Sequence, residues 1–353
     1  MKEQLAIGLM SGSSLDGLDL ALVHFTSDEG RYHYDILISE TMPYPMSWSE
    51  KLAKAFLSKP EDLRPLDLEY GAYLGQCVLD FAKKHEVRPD FIASHGHTVF
   101  HQPEKRYTLQ IGNGQALADS CGYLTINDFR TEDVLKGGQG APLVPIGDKL
   151  LFSDYDICLN IGGIANLSYD MNGSRIAYDI CIANQALNWL AQREGLSYDK
   201  DGMLAKKGKV NNELLETLNN NGFYHQNPPK SLGREFFESY QKQLLGMYAT
   251  HEAMATFVEH IAQQIGHSVE TLPQGKMLVT GGGAHNRFLV ERIQDYTKHQ
   301  VIVPNDQTVD YKEALIFAFL GLLRLEGKNN VLCSVTGAPT DSCSGQIWHP
   351  KTS

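Results

Sequence analysis

The chain of 353 residues has no Cys-x-x-Cys pair and no dense cysteine framework; Cys77, Cys121, Cys158, Cys181, Cys333 and Cys343 are scattered. That excludes a disulfide-stapled secreted module and predicts reduced thiols in a cytoplasmic protein. Long apolar runs are missing too. The longest uncharged one, Ala314 to Leu323, is half of what a bilayer crossing needs. Leu5 to Met10 is too short for the apolar core of a secretory leader. Positive charge is in the minority: 31 Lys and Arg face 42 Asp and Glu, a net charge of −11. That argues against nucleic acid or an anionic membrane as the main partner. Low-complexity tracts are absent.

What is present is enough chain for two domains, each with its own core. Apolar alternation predicts strands near 5–10, 18–25, 32–40, 91–94, 107–111, 123–126, 156–161, 164–169, 175–179, 277–280 and 300–303. Helical periodicity marks 48–58, 66–86, 113–120, 183–194, 211–219, 234–247, 250–270, 285–298 and 310–325. Strand meanders alternating with helices give an α/β class with mixed rather than all-parallel sheets. The stretch "LNIGGIANLSYDMNGSRIAYDI" at 159–180 repeats the layout of the N-terminal one, with three strands separated by glycine-bearing turns. Two like domains are therefore expected, joined within residues 128–145, where Gly and Pro cluster.

Three glycine-rich turns stand out. "IGLMSGSSLDGLDLALVHF" (7–25) reads as strand, turn, strand, and "NIGGIANLS" (160–168) does the same. The third, "KMLVTGGGAHNRFLVERI" (276–293), runs from a buried strand through Gly281, Gly282 and Gly283 into a helix. The first lacks the lysine and the helix of a GxxxxGK[ST] loop and is not a GxGxxG fingerprint. Each turn has a bland reading as a tight connection. Together they suit anions, because small residues expose backbone N–H groups.

This set resembles the phosphate-1, phosphate-2 and adenosine motifs of the actin, sugar-kinase and heat-shock-chaperone ATPase superfamily. The resemblance implies two ribonuclease-H-like domains flanking a nucleotide cleft. "GLMSGSSLDGLD", "SHGHTVFHQP", "LQIGNGQALA", "NDFRTEDVLKGGQGAPLVP", "NIGGIANLS", "TGGGAHNRFLVERI" and "SVTGAP" sharpen it, in order, to the 1,6-anhydro-N-acetylmuramic acid kinase family. That family opens the anhydro bridge of a cell-wall sugar and phosphorylates its O6 with ATP and Mg²⁺. The resemblance assigns ATP to Gly12, Ser13, Ser14, Leu15, Asp16, Gly17, Leu18 and Asp19, to Asn160, Gly162 and Gly163, and to Gly281, Gly282, Gly283 and Asn286. Asp16 and Asp19 are the Mg²⁺ candidates, acting through water. Domain I is expected over 1–130 with a returning tail at 334–353, and domain II over 131–333. A homodimer is compatible with the chain.

One block departs from the family pattern. Where the family reads Asp-Thr-Gly-Pro-Gly-Asn, this chain has "YDICIAN", keeping Asp179 and Asn184 but replacing the permissive turn by Ile180, Ile182 and Ala183. Opening an intramolecular acetal needs a base for the attacking water, and phosphoryl transfer needs positioning more than covalent help. Asp179, at a strand end, suits the first task; its bland reading is a helix N-cap. Glu313 matches the family's second water-activating carboxylate. His97, Thr98, Arg130 and Asn184 are expected to contact the sugar, with Arg130 facing an acidic group. Two alternatives stay open: a nucleotide- and sugar-binding sensor without turnover, and a metal-dependent hydrolase built on His95, His97 and His101.

Overall fold

The computed structural model describes residues 2–12, 15–28, 30–59, 61 and 63–351. In chain order its strands are β1 (Lys2–Ser11), β2 (Gly17–Asp28), β3 (Arg31–Pro43), β4 (Phe91–Ser94), β5 (His97–Gln102), β6 (Tyr107–Ile111) and β7 (Thr125–Asn127). They are followed by β8 (Ile157–Ile161), β9 (Ile164–Met171), β10 (Ser174–Ile182), β11 (Lys276–Thr280), β12 (Gln300–Ile302) and β13 (Gln346–Trp348). The chain divides into two compact units, residues 1–151 with 311–353, and residues 152–310.

In the first unit the sheet order is β13-β7-β4-β1-β2-β3; in the second it is β10-β9-β8-β11-β12. Counted from its first strand, each sheet is built alike. Strands one, two and three pair antiparallel, then strands four and five add in parallel on the other side of strand one. The first unit adds β13 antiparallel to β7. The internal echo in the sequence is thus a repeated topology. β5 and β6 form a separate two-stranded sheet.

Burial follows the pleat. Leu18, Leu20 and Leu22 of β2 point into a core with Ile7, Leu9, Ile92 and the helix Leu63–Lys84, which supplies Tyr70, Leu74, Val78 and Phe81. On the opposite face, Phe25 meets Phe319 of the helix Asp306–Leu325, ring centres 5.7 Å apart. The apolar run 314–323 therefore lies against a sheet. Gly8 permits that approach: a Cβ there would stand 1.8 Å from the Ala314 carbonyl oxygen. No helix among the described residues is long and apolar enough to cross a membrane. All six cysteines are free.

The unit boundaries differ from 130/131 and 333/334. Residues 131–151 stay with the first unit because Asp133, fully buried, accepts from Thr336 Oγ1 at 2.8 Å and from the Gly140 amide at 2.8 Å. The Gln139 amide donates to the Thr336 carbonyl at 2.7 Å. Gly147 packs directly on Ile316. The helix expected over 234–247 is broken into a turn at Arg234–Phe236, a π-helical segment Phe237–Gln241 and a short helix Lys242–Gly246.

Candidate functional site

In an open α/β sheet, ligands collect outside the carboxyl ends of the parallel strands. In the first unit β1, β4 and β7 end on Ser11, Ser94 and Asn127, and the expected residues follow directly. Gly12 to Asp16 connect β1 to β2, His95 follows β4, and Arg130 follows β7. Ser13 and Ser14 lie outside the described residues. Leu15 has φ of 59°, a left-handed conformation at the turn. Gly17 is pressed on β3, where a Cβ would sit 2.7 Å from the Met42 carbonyl oxygen. Leu18 is 1% exposed and belongs to the core, so its side chain is not a ligand contact; only its backbone can face one.

Asp16 is exposed, whereas Asp19 is partly buried and accepts from Thr41 Oγ1 at 2.6 Å. Glu313, on the helix Asp306–Leu325, is exposed to water. Desolvation, and then the negative charge of Asp19, hold its carboxyl above the usual range, while Arg130 and Lys312 pull the other way. Lys312 itself forms a buried ion pair with Asp148 at 2.7 Å. Two carboxylates and one guanidinium thus share an electrostatic neighbourhood.

The three histidines do not converge. Arg130 donates to His95 Nε2 from Nε at 3.1 Å and from Nη2 at 2.9 Å, and Nη1 donates to the Gly140 carbonyl at 2.7 Å. His97 Nδ1 meets Ser11 Oγ at 2.9 Å, and His101 Nδ1 meets Thr108 Oγ1 at 3.1 Å. The expected alternative of a histidine metal cluster is corrected on this point. Each imidazole has a different partner, and a cation beside His95 would face the charge of Arg130. Among the described residues no group of three or more His, Cys, Asp or Glu is placed to hold a metal. Burial, and then Arg130, lower the His95 pKa well below normal; burial alone lowers that of His97 to about 4. Desolvation brings Arg130 down to about 10, with Glu313 opposing. Thr98 is exposed on β5, and Gln110 donates to its hydroxyl at 3.4 Å.

In the second unit β8 and β11 run side by side toward their carboxyl ends, with Asn160 opposite Thr280. The turn after β8 is clamped by the chain after β10: the Ala183 and Gln185 amides donate to the Gly163 carbonyl at 2.8 and 3.2 Å, and the Asn184 amide to the Gly162 carbonyl at 3.1 Å. The Asn184 side chain donates to the Ile161 carbonyl at 3.1 Å. Asn184 therefore shapes the turn rather than simply presenting an amide to a sugar. Gly281, at φ of 80°, lies over Asn160, and Gly283 lies over Ile161, where a Cβ would be 2.2 Å from Cγ2. Gly282 has only Asn184 Nδ2 nearby, 3.7 Å from where its Cβ would be. Asn160, Gly162, Gly163, Asn184 and Gly281 to Gly283 thus form one cluster.

Beside the Gly282 edge of this cluster opens a cavity of about 940 Å³, lined among others by Asn184, Tyr198, Lys200, Gly282, Asn286 and Arg287. Asn286 Oδ1 caps the helix Arg287–Tyr296 by accepting from the Leu289 amide at 3.0 Å, so this oxygen already has a structural donor. Sequence reasoning missed Tyr198 and Lys200, which sit in a polar loop without periodicity. It also missed Ser11 and Tyr44, which fall just outside the expected strands and helices, and Tyr70, which reads as an ordinary helix position.

Asp179 is not a helix cap. The helix Asn184–Gln192 is preceded by Ala183 as its N-cap residue, and the Asp179 Oδ2 accepts from the Leu232 amide at 2.8 Å. Its own amide donates to the Lys230 carbonyl at 3.1 Å. Burial raises its pKa, and the Leu232 hydrogen bond opposes that shift. The segment "YDICIAN" is not an exposed stiff turn either. Its residues 178–182 continue β10, with a bulge between Asp179 and Cys181, and Ile180 to Ala183 are almost fully buried. The isoleucines fill core, which explains how the chain tolerates losing the glycines.

Residues 4–350 match the family model described as anhydro-N-acetylmuramic acid kinase. Proteins of that name from Mannheimia succiniciproducens, Vibrio cholerae and Pasteurella multocida are 34%, 36% and 36% identical to this chain. The alignments cover 99%, 99% and 98% of this chain and 100%, 99% and 96% of those proteins. The chain belongs to the anhydro-N-acetylmuramic acid kinase family.

Proposed function

We propose that this chain is an ATP-dependent kinase of cell-wall sugar recycling. It opens the 1,6-anhydro bridge of anhydro-N-acetylmuramic acid with water and phosphorylates O6, giving N-acetylmuramic acid 6-phosphate. The family match across residues 4–350 carries the reading. Two features of the fold support it: a glycine cluster beside a cavity large enough for a nucleoside, and a partly buried carboxylate, Asp179, whose pKa is raised.

In the reaction Asp179 takes a proton from water as the water oxygen bonds to C1 of the sugar. The C1–O6 bond breaks, and O6 accepts the γ-phosphoryl group as ADP leaves. A raised pKa strengthens Asp179 as a base. The bond from the Leu232 amide fixes its orientation. Arg130 pairs with the sugar carboxylate, and His97 and Thr98 contact sugar oxygens. Glu313 assists in handling the water. Gly281 to Gly283 back the adenosine, and the turns at Gly12 and Gly162–Gly163 offer amides to phosphates.

Magnesium fits the first unit. Asp19 opposes ionisation of Glu313, a crowding of negative charge that a divalent cation relieves. Mg²⁺ dehydrates reluctantly and keeps its waters, so Asp16 and Asp19 would hold it through water. The ion supplies charge neutralisation for the transferring phosphoryl group.

The test is transfer from ATP in ¹⁸O-labelled water. The phosphorylated product, analysed promptly, should carry label at the anomeric hydroxyl, above an unreacted reducing-sugar control. Label no higher than the control would mean that a pre-existing hydroxyl is phosphorylated and that the ring-opening step is absent.

A further inference from the structure

A buried line of hydroxyls runs behind the first hairpin. The Tyr70 and Tyr44 hydroxyls are 2.6 Å apart, Tyr44 donates to Ser11 Oγ at 2.7 Å, and Ser11 Oγ is 2.9 Å from His97 Nδ1. All four residues are buried, Tyr70 completely. Their elements differ: the helix Leu63–Lys84, the residue after β3, the end of β1 and the start of β5. Nothing in the reaction derived above uses Tyr44 or Tyr70.

The polarity of this line can be read off. Ser11 accepts from Tyr44, so its own proton needs an acceptor, and a buried hydroxyl proton left without one is costly. His97 Nδ1 is the acceptor within reach. His97 is then neutral with its proton on Nε2. Two residues earlier the opposite holds, because Arg130 has only donors and directs them at His95 Nε2, which leaves the His95 proton on Nδ1. The histidines of His95-Gly96-His97 are thus held in opposite tautomers by different partners.

We propose that Tyr70, Tyr44 and Ser11 act as a positioning relay that fixes His97 in its Nε2–H tautomer, so that it donates a single hydrogen bond to an oxygen of the sugar. The substrate contact rests on the kinase reading; the tautomer does not. Burial of His97 supports the relay, since the ring stays neutral across the physiological range. Burial of Tyr44 pushes its pKa up to about 12, which keeps the hydroxyl proton in place.

Long-range ¹H–¹⁵N spectra of the ¹⁵N-histidine-labelled full chain, with the His97 signal assigned by loss in His97→Gln, test the tautomer directly. The expected pattern is a protonated Nε2 and a bare Nδ1 for His97, and the reverse for His95. A protonated Nδ1 at His97 in the unaltered protein overturns the proposal. In Tyr44→Phe the His97 pattern should move toward a mixture, and the KM for the anhydro-sugar should rise roughly five- to thirty-fold, with the KM for ATP within twofold. An unchanged spectrum and unchanged sugar KM in Tyr44→Phe would also overturn it. Should Tyr44→Phe fail to fold, the spectrum of the unaltered chain still decides. Absence of any phosphate transfer in the unaltered protein would defeat the kinase reading instead, and leaves the spectroscopic result standing by itself.

Discussion

Arg130 directs two of its nitrogens at one atom, His95 Nε2, at 3.1 and 2.9 Å. The imidazole works here as an acceptor that sets the plane of a guanidinium, and it can do so only when neutral. Burial beside that guanidinium keeps it neutral.

Removing this acceptor should disturb sugar binding first. His95→Phe is expected to raise the sugar KM roughly tenfold while ATP affinity changes less than twofold, because Arg130 loses its orientation and keeps its charge. Arg130→Lys should do the same, since an ammonium cannot reproduce the fork. Steady-state kinetics with each substrate varied separately check both; equal losses for ATP and sugar would remove Arg130 from the sugar side.

Asp179→Asn should lower turnover by at least about 10³-fold with ATP binding preserved, because it deletes the base at constant size. More than a tenth of the original rate would end its role as the base. In the unaltered protein, the acid limb of kcat/KM should lie above the ordinary aspartate range of about 4, because burial raises the Asp179 pKa. Activity is lost as pH falls through that raised value.

The glycines of the third turn should separate binding from stability. Gly282→Val meets only open space beside Asn184 Nδ2, so the melting temperature should hold while the KM for ATP rises roughly tenfold or more. Gly283→Val drives a side chain into Ile161 and should cost stability, typically about 1–3 kcal/mol. Calorimetry alongside ATP titration distinguishes the two. A Gly282→Val protein with normal ATP affinity would argue against a nucleotide at this turn.

Stability should fall below about pH 6.5, the ordinary histidine value. His97 is lowered to about 4 and His260 to about 3, both chiefly by burial, and His95 lies well below its normal value. From pH 6.5 down to 4 the unfolded chain therefore binds more protons at these rings, so stability is lost as pH drops. Each ring contributes a slope of up to about 1.4 kcal/mol per pH unit. The raised carboxyls of Asp179 and Glu313 act with the opposite sign. Denaturant unfolding at pH 7.5, 6 and 5 reads the net slope, and His260→Gln should reduce it.

The sequence by itself determined the α/β class with two like mixed sheets, though not the small separate sheet of β5 and β6. Alternating leucines in β2 and glycine-bearing turns after β1 and β8 are local features, and local features survive in a one-dimensional pattern. It also marked which stretches are candidates for the chemistry, since residues that approach a ligand's backbone-lined site must be small or polar wherever they fall. Only the tertiary structure decided which atoms are already engaged. Asn286 caps a helix, Asn184 braces a turn, Leu18 is core, and Ile180 to Ala183 extend a strand. It also decided where the chain divides, because Asp133 and Thr336, 203 residues apart, meet through a buried hydrogen bond that no spacing announces. The opposite tautomers of His95 and His97 belong to the same class. A proton's place on an imidazole depends on which donor stands opposite each nitrogen, and those donors come from β1 and from the segment after β7, brought there by the parallel pairing around β4.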